Sequence, residues 1–170
     1  MVVKVGVMGC SPQGRTHALG YRLDSRARVV GVADLALDRA KKLGEEVGAE
    51  IVTDDYHDLL DNPEIDVVSI VTPTHLHAKM TIEAAEAGKH VLCEKPMAIT
   101  VRDCDEMISA AKKAGVLLTV GFNYRFQATF QRMKNLLENQ EIGRVVQALV
   151  LRLHPNPYPL DVPWRTKRST

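Results

Sequence analysis

An apolar run at positions 2–8 ends in Gly9-Cys10-Ser11-Pro12-Gln13-Gly14, and a second apolar run closes on Asp34. A strand that empties into a glycine turn has few continuations, because the glycines let the chain reverse tightly and bring a helix back against the strand it has just left. The same turn leaves backbone N–H groups and a helix N-terminus exposed, and both favour an anion. An acid roughly twenty residues further on, at the tip of the next strand, is spaced to accept hydrogen bonds from a ribose diol. The pair predicts a dinucleotide site, with Gly9, Ser11, Pro12, Gln13 and Gly14 at the phosphates and Asp34 at the ribose. Ser11 stands where the pattern has its middle glycine, which admits phosphate without a side chain between. Serine is the least bulky polar replacement, and its hydroxyl can hydrogen-bond a phosphate oxygen. On the turn alone, the alternative is a tight strand-to-helix connection with no ligand.

The rest of the chain repeats the rhythm. Short runs rich in Val and Ile at 2–8, 29–33, 51–53, 67–71 and 91–93 alternate with longer amphipathic segments at 37–47 and 78–87. Runs apolar throughout suit strands buried on both faces, and their alternation with helices predicts a parallel sheet wrapped on both sides. Gly48 and Gly88 stand where helix ends favour a residue tolerant of positive φ. Thr100 with Asp103 three residues on predicts a capped helix to Ala114, followed by Gly115 and a sixth strand at 116–120. Residues 1–121 therefore read as one complete doubly wound α/β domain, and the right-handed crossover rule leaves few other ways to connect it.

The 170 residues suffice for one well-buried domain but not two. Residues 122–170 read as the partial start of a second, α+β domain: Asn123-Tyr124-Arg125-Phe126, a helix at 129–139, Gly143, then an apolar strand at 145–153. An unpartnered apolar strand predicts self-association, hence a homo-oligomer. The Pro-rich and basic tail after it offers little for a core. With 22 basic and 21 acidic side chains, the formal charge of +1 gives no reason to expect nucleic acid or an anionic membrane as partner. Cys10, Cys93 and Cys104 have neither disulfide nor zinc spacing, which predicts no metal site and a reducing, cytoplasmic location. No apolar run approaches a membrane span, and the first one contains Lys4 and leads straight into the glycine turn, unlike a signal peptide.

Open parallel sheets bind ligands beyond the carboxyl ends of their strands. Two polar clusters fall there: Thr72-Pro73-Thr74-His75-Leu76-His77 after the fourth strand and Glu94-Lys95-Pro96 after the fifth. Pro96 restricts the backbone of Lys95, so its ammonium is aimed and can hold a substrate oxygen or assist proton transfer. The alternative is a partly exposed Glu94–Lys95 ion pair at the start of a loop. His75 and His77 match no metal spacing, and one of them can serve simply to cap the next helix. His17, in the helix after the glycine turn, reads as a surface or packing residue.

Taken in order, the turn at Gly9 to Gly14, Asp34, Thr72-Pro73 with His77, Ala87-Gly88-Lys89-His90-Val91-Leu92-Cys93-Glu94-Lys95-Pro96 and Gly121-Phe122-Asn123-Tyr124-Arg125-Phe126 resemble the Gfo/Idh/MocA family of NAD(P)-dependent oxidoreductases. The resemblance implies a Rossmann domain with a nicotinamide cofactor: Asp34 on the adenosine ribose, Thr72, Pro73, His77 and Asn123 near the cofactor, and Glu94, Lys95 and Pro96 beside the nicotinamide. It makes Lys95 the catalytic residue of a hydride transfer involving a secondary alcohol of a sugar, cyclitol or related polyol. Asp34 would repel a 2′-phosphate, which favours NAD over NADP, while Arg39 on the following helix tempers that preference. Family members continue beyond the tryptophan-arginine element, so the chain is expected to be an N-terminal portion. The rival expectation is a non-catalytic dinucleotide-binding module acting through a partner chain.

Overall fold

The computed structural model describes residues 2–151. Six strands, β1 (Val3–Met8), β2 (Ala27–Ala33), β3 (Ile51–Thr53), β4 (Val67–Ile70), β5 (His90–Cys93) and β6 (Leu118–Val120), form one sheet in the order β3-β2-β1-β4-β5-β6. Every pairing is parallel. The order reverses between β1 and β4, and ligands of such sheets sit outside that switch point. Helices α1 (Pro12–Arg22), α2 (Leu37–Val47), α3 (His57–Leu60), α4 (Thr74–Glu86) and α5 (Val101–Ala114) connect the strands.

Successive strand residues point to opposite faces, and both faces are covered. Val5, Val7, Val29 and Val32 pack with Ala18 of α1 and Ala40 and Leu43 of α2. Met8, Val30, Ala33, Val68 and Ile70 pack on the other side with Met80 and Ala84 of α4 and Met107 of α5. Fully burying a side chain of this size contributes about 1.5–3 kcal/mol, which is why the strands carry no polar alternation. Gly48 and Gly115 end α2 and α5 with φ of 71° and 69°, and Thr100 with Asp103 forms the reciprocal capping box that the spacing predicts.

Several boundaries differ from expectation by one or two residues, β2 for instance beginning at Ala27 rather than 29, and one differs by more. Helix α4 begins at Thr74 directly after Pro73, not at Ala78, so His75 and His77 both lie inside it. Strand β6 begins at Leu118 rather than 116, because its ladder to β5 starts where Leu118 meets Val91. Among the described residues, no helix is long and apolar enough to cross a membrane.

The chain divides into two units after Phe122. In the second, a 3-10 helix (Asn123–Phe126) precedes α6 (Ala128–Glu138), and Tyr124 stacks on Phe130 with ring centroids 5.6 Å apart. No described residue of this unit is buried. The strand expected at 145–153 is absent over 145–151, and 152 and 153 lie outside the described residues. Apolar content alone does not make a strand: a ladder needs a neighbour, and Val146, Leu149, Val150 and Leu151 stand exposed instead.

Candidate functional site at the switch point

The glycine turn is built by contact. Gly9 has φ of +103°, and a Cβ there would lie 2.5 Å from the Val71 carbonyl oxygen at the end of β4. A Cβ on Gly14 would lie 1.9 Å from the Gly9 carbonyl oxygen, so the turn closes only with both glycines in place. Ser11 is the N-cap of α1 with φ of −64°, an ordinary value for any residue, and its Oγ accepts the Gly14 N–H at 3.4 Å. That long contact yields easily to a stronger acceptor. Pro12 supplies the first helical residue, and the Gln13 N–H finds no backbone acceptor among the described residues.

Asp34 follows β2 and braces this turn. Its Oδ2 accepts the Cys10 N–H at 2.8 Å, while Oδ1 accepts the Ala36 N–H at 2.9 Å and the Arg39 guanidinium at 2.6 Å. The side chain is only 7% exposed. Burial pushes the Asp34 carboxyl up, but the Arg39 hydrogen bond, the Ala36 and Cys10 amides and the Arg39 charge outweigh it and hold the group below its ordinary value. Oδ2 keeps a lone pair for a hydroxyl, and Oδ1 gains one if Arg39 swings away. A helix N-terminus for phosphates beside a nearly buried acid with an open lone pair fits a dinucleotide.

Across the switch point, His77 ties two loops together. It is 1% exposed, with Nε2 at 2.9 Å from the Thr72 carbonyl oxygen and Nδ1 at 2.9 Å from that of Pro96. Its ring lies between two backbone carbonyls, both acceptors, so the imidazole N–H donates to one of them while the ring packs against the other, which sets the turn at Thr72 and Pro73 against the loop carrying Lys95. The Thr72 hydroxyl meets Met80 Sδ at 3.3 Å.

The expected alternative for Glu94 and Lys95, an ion pair, is not what the structure contains. The Glu94 carboxylate turns inward: Oε1 accepts from His17 Nε2 at 3.0 Å and Gln13 Nε2 at 3.2 Å, and Oε2 accepts the Lys95 backbone N–H at 2.9 Å. The Lys95 ammonium is exposed and takes no partner among the described residues. The Lys95–Pro96 peptide is cis. Of the two expectations for His17, surface or packing, the structure rules out the surface: its side chain is nearly buried and adds hydrogen bonds to its packing as a member of this cluster. A signal for it existed: Gly14, His17, Ala18 and Tyr21 recur at helical spacing and share the inward stripe of α1.

Gly9, Ser11, Pro12, Gln13, Gly14, Asp34, Thr72, Pro73, Glu94, Lys95 and Pro96 therefore gather at the carboxyl ends of β1, β2, β4 and β5. Asn123 stands in the second unit, as the first residue of its 3-10 helix. His75 is exposed on α4, and His90 Nδ1 accepts the Leu117 N–H at 3.0 Å.

This strand order, with a glycine turn, a bracing acid and a lysine loop at its switch point, defines the class of Rossmann dinucleotide-binding domains. Within that class, the chain belongs to the Gfo/Idh/MocA oxidoreductase family, whose NAD-binding Rossmann fold matches residues 3–122. It is 35% identical over 159 residues to myo-inositol 2-dehydrogenase of Thermotoga maritima, covering 94% of this chain and 48% of that protein. The crystal structure of scyllo-inositol dehydrogenase from Lactobacillus casei, with bound NAD(H) and scyllo-inositol, superposes with a TM-score of 0.80 at 26% identity, covering 84% of this chain and 43% of that one. A 3-ketoreductase from Actinomadura kijaniata in complex with TDP-benzene and NADP gives a TM-score of 0.76 at 27% identity, over 82% of this chain and 44% of that one. The chain spans about half the length of the curated relatives it matches.

Proposed function

We propose that the chain is the cofactor-binding portion of an oxidoreductase that moves hydride between a nicotinamide and a secondary alcohol carbon of a cyclitol, sugar or related polyol. The observation that carries this reading is the exposed Lys95 ammonium on the loop beside the switch point, without a partner among the described residues, while its neighbour Glu94 is committed inward. A nicotinamide, when bound, supplies the hydride acceptor or donor. The α1 N-terminus and the turn from Gly9 to Gly14 hold the phosphates, Asp34 takes the ribose, and the Thr72–Pro73 turn and the Pro96 loop, pinned together by His77, form the far wall. Lys95 Nζ donates to the reacting oxygen: as hydride adds to the carbonyl carbon, the ammonium stabilises the negative charge that develops on that oxygen and passes it a proton, and in the oxidation direction the neutral amine takes that proton back.

NAD is the proposed cofactor rather than NADP. A 2′-phosphate would meet the Asp34 carboxylate, and accommodating it requires Arg39 to abandon Asp34. Substrate class is proposed from the inositol dehydrogenases among the relatives. Exposure of Val146, Leu149, Val150 and Leu151 supports self-association of the second unit as part of the same proposal.

Replacing Lys95 with Met tests the reading. In a full-length or reconstituted form, nicotinamide reduction in the presence of myo- or scyllo-inositol should fall by about a hundredfold or more, with NADH affinity within about threefold of the parent. A Lys95→Met chain that turns over at the parent rate contradicts the assignment. A full-length or reconstituted form that binds NADH and engages a partner without turnover on any polyol favours the non-catalytic module instead.

A further inference from the structure

The hydrogen bonds around Glu94 continue through the interior of the first unit. His17 lies on the inward stripe of α1 with its side chain 11% exposed. Its Nδ1 is 2.8 Å from Ser69 Oγ and its Nε2 is 3.0 Å from Glu94 Oε1. Ser69 is fully buried on β4. A carboxylate only accepts, so Nε2 carries the proton on this edge and the Ser69 hydroxyl completes Nδ1. One imidazole thus links helix α1, strand β4 and the carboxylate that takes the Lys95 N–H.

Packing alone does not call for such a set. A buried carboxylate is unfavourable unless donors surround it, and an apolar side chain at 94 would fill the space more simply. Here the donors come from the helix that opens at the phosphate turn, and the remaining oxygen is used on Lys95. Besides His17, the other side-chain donor on this carboxylate among the described residues is Gln13, whose residue is exposed and whose contact is longer at 3.2 Å. Without the imidazole, the Glu94 side chain gains rotamers and the Lys95 backbone loses its fixed acceptor, while the turn keeps its own amides.

We propose that His17 is a positioning residue for Lys95: by holding Glu94 in the rotamer that accepts the Lys95 N–H, it fixes the loop from which the ammonium reaches the reacting oxygen. The inference rests on the reading of Lys95 as the acting ammonium. It extends the site to a side chain that touches neither cofactor nor substrate.

The test compares the parent chain with His17→Leu, which cannot donate, and His17→Gln, which can. Amide hydrogen exchange is followed by NMR at Lys95, with Val91 and Cys93 of β5 as internal references, and each protein is titrated with NADH. In His17→Leu, Lys95 exchange should rise about tenfold or more while the references stay within about twofold; His17→Gln should recover most of the protection. NADH affinity should stay within about threefold, and where turnover is measured, kcat should fall about tenfold with KM nearly unchanged. Unchanged Lys95 exchange in His17→Leu, or exchange rising equally at Val91 and Cys93, would overturn the proposal. Should His17→Leu not fold, Ser69→Ala, which removes the Nδ1 partner, carries the same comparison: a rise of about threefold confined to Lys95 supports it, and no change refutes it. Because exchange needs no cofactor, a parent chain that binds no NADH would sink the proposed function and leave the positioning result standing.

Discussion

Gly14 and Gly20 lie in the same helix and should respond in opposite directions to one added methyl group. A Cβ on Gly20 meets nothing within 4 Å, so Gly20→Ala mainly removes freedom from the unfolded chain and should stabilise by about 0.5–1 kcal/mol. A Cβ on Gly14 would sit 1.9 Å from the Gly9 carbonyl oxygen and 2.9 Å from its carbon. The obstacle is backbone on both sides, so no change of rotamer relieves it: either the turn opens or α1 shifts on the sheet. The same propensity gain of about 1 kcal/mol then opposes a steric cost of about 3 kcal/mol, a net loss of about 2 kcal/mol. Opening the turn also displaces the Cys10 amide held by Asp34, so NADH affinity should drop about tenfold or more. Urea unfolding followed by circular dichroism, with an NADH titration of each variant, measures both effects. A Gly14→Ala chain with a midpoint at or above the parent's, or with parental NADH affinity, would refute the reasoning.

Acid sensitivity offers a second check on Asp34. Its folded pKa lies below the unfolded one, so its contribution to stability is complete above the ordinary carboxylate range and is lost as pH falls through the folded value; Asp34→Asn should therefore lose less stability than the parent between neutral pH and about pH 3. Burial, and then the Asp34 charge, push the Cys10 thiol up to about 12, and burial pushes Cys93 up to about 12, so iodoacetamide at neutral pH should label the partly exposed Cys104 first, as mass spectrometry of the digest reads directly. Lys89 is buried with its Nζ on the carbonyls of Asn62 and Ile65 at 2.6 and 3.0 Å; Lys89→Met leaves both without that donor and should lower stability by about 1–3 kcal/mol in the same urea assay. Self-association of the exposed 145–151 run predicts a mass above that of one chain in light scattering, and a strictly monodisperse monomer at high concentration would end that part of the proposal.

Residues that act through local rules were legible in the sequence. Strands buried on both faces must be continuously apolar, so the Val-rich runs located the sheet. Helix α2 was readable at its C-terminal end because Gly48 suits a left-handed cap, and α5 at its start because Thr100 and Asp103 satisfy each other within one turn. Partners far apart in the chain were not legible. Nothing local pairs His17 with Glu94, 77 residues away, or directs Glu94 inward rather than toward its neighbour Lys95. Nothing local places the His77 ring between the carbonyls of Thr72 and Pro96, since Pro96 lies 19 residues further along the chain. The 145–153 run had a strand's composition, but pairing is a property of two segments and no composition supplies the second.

The central claim is a dinucleotide site made by the glycine turn and Asp34, and calorimetric titration of this chain with NADH and, in parallel, NADPH tests it most directly. NADH should bind about tenfold or more tightly than NADPH, and Asp34→Ala should narrow that gap by weakening NADH and relieving the repulsion on NADPH. NADPH binding as tightly as NADH, or neither cofactor binding at all, would contradict it.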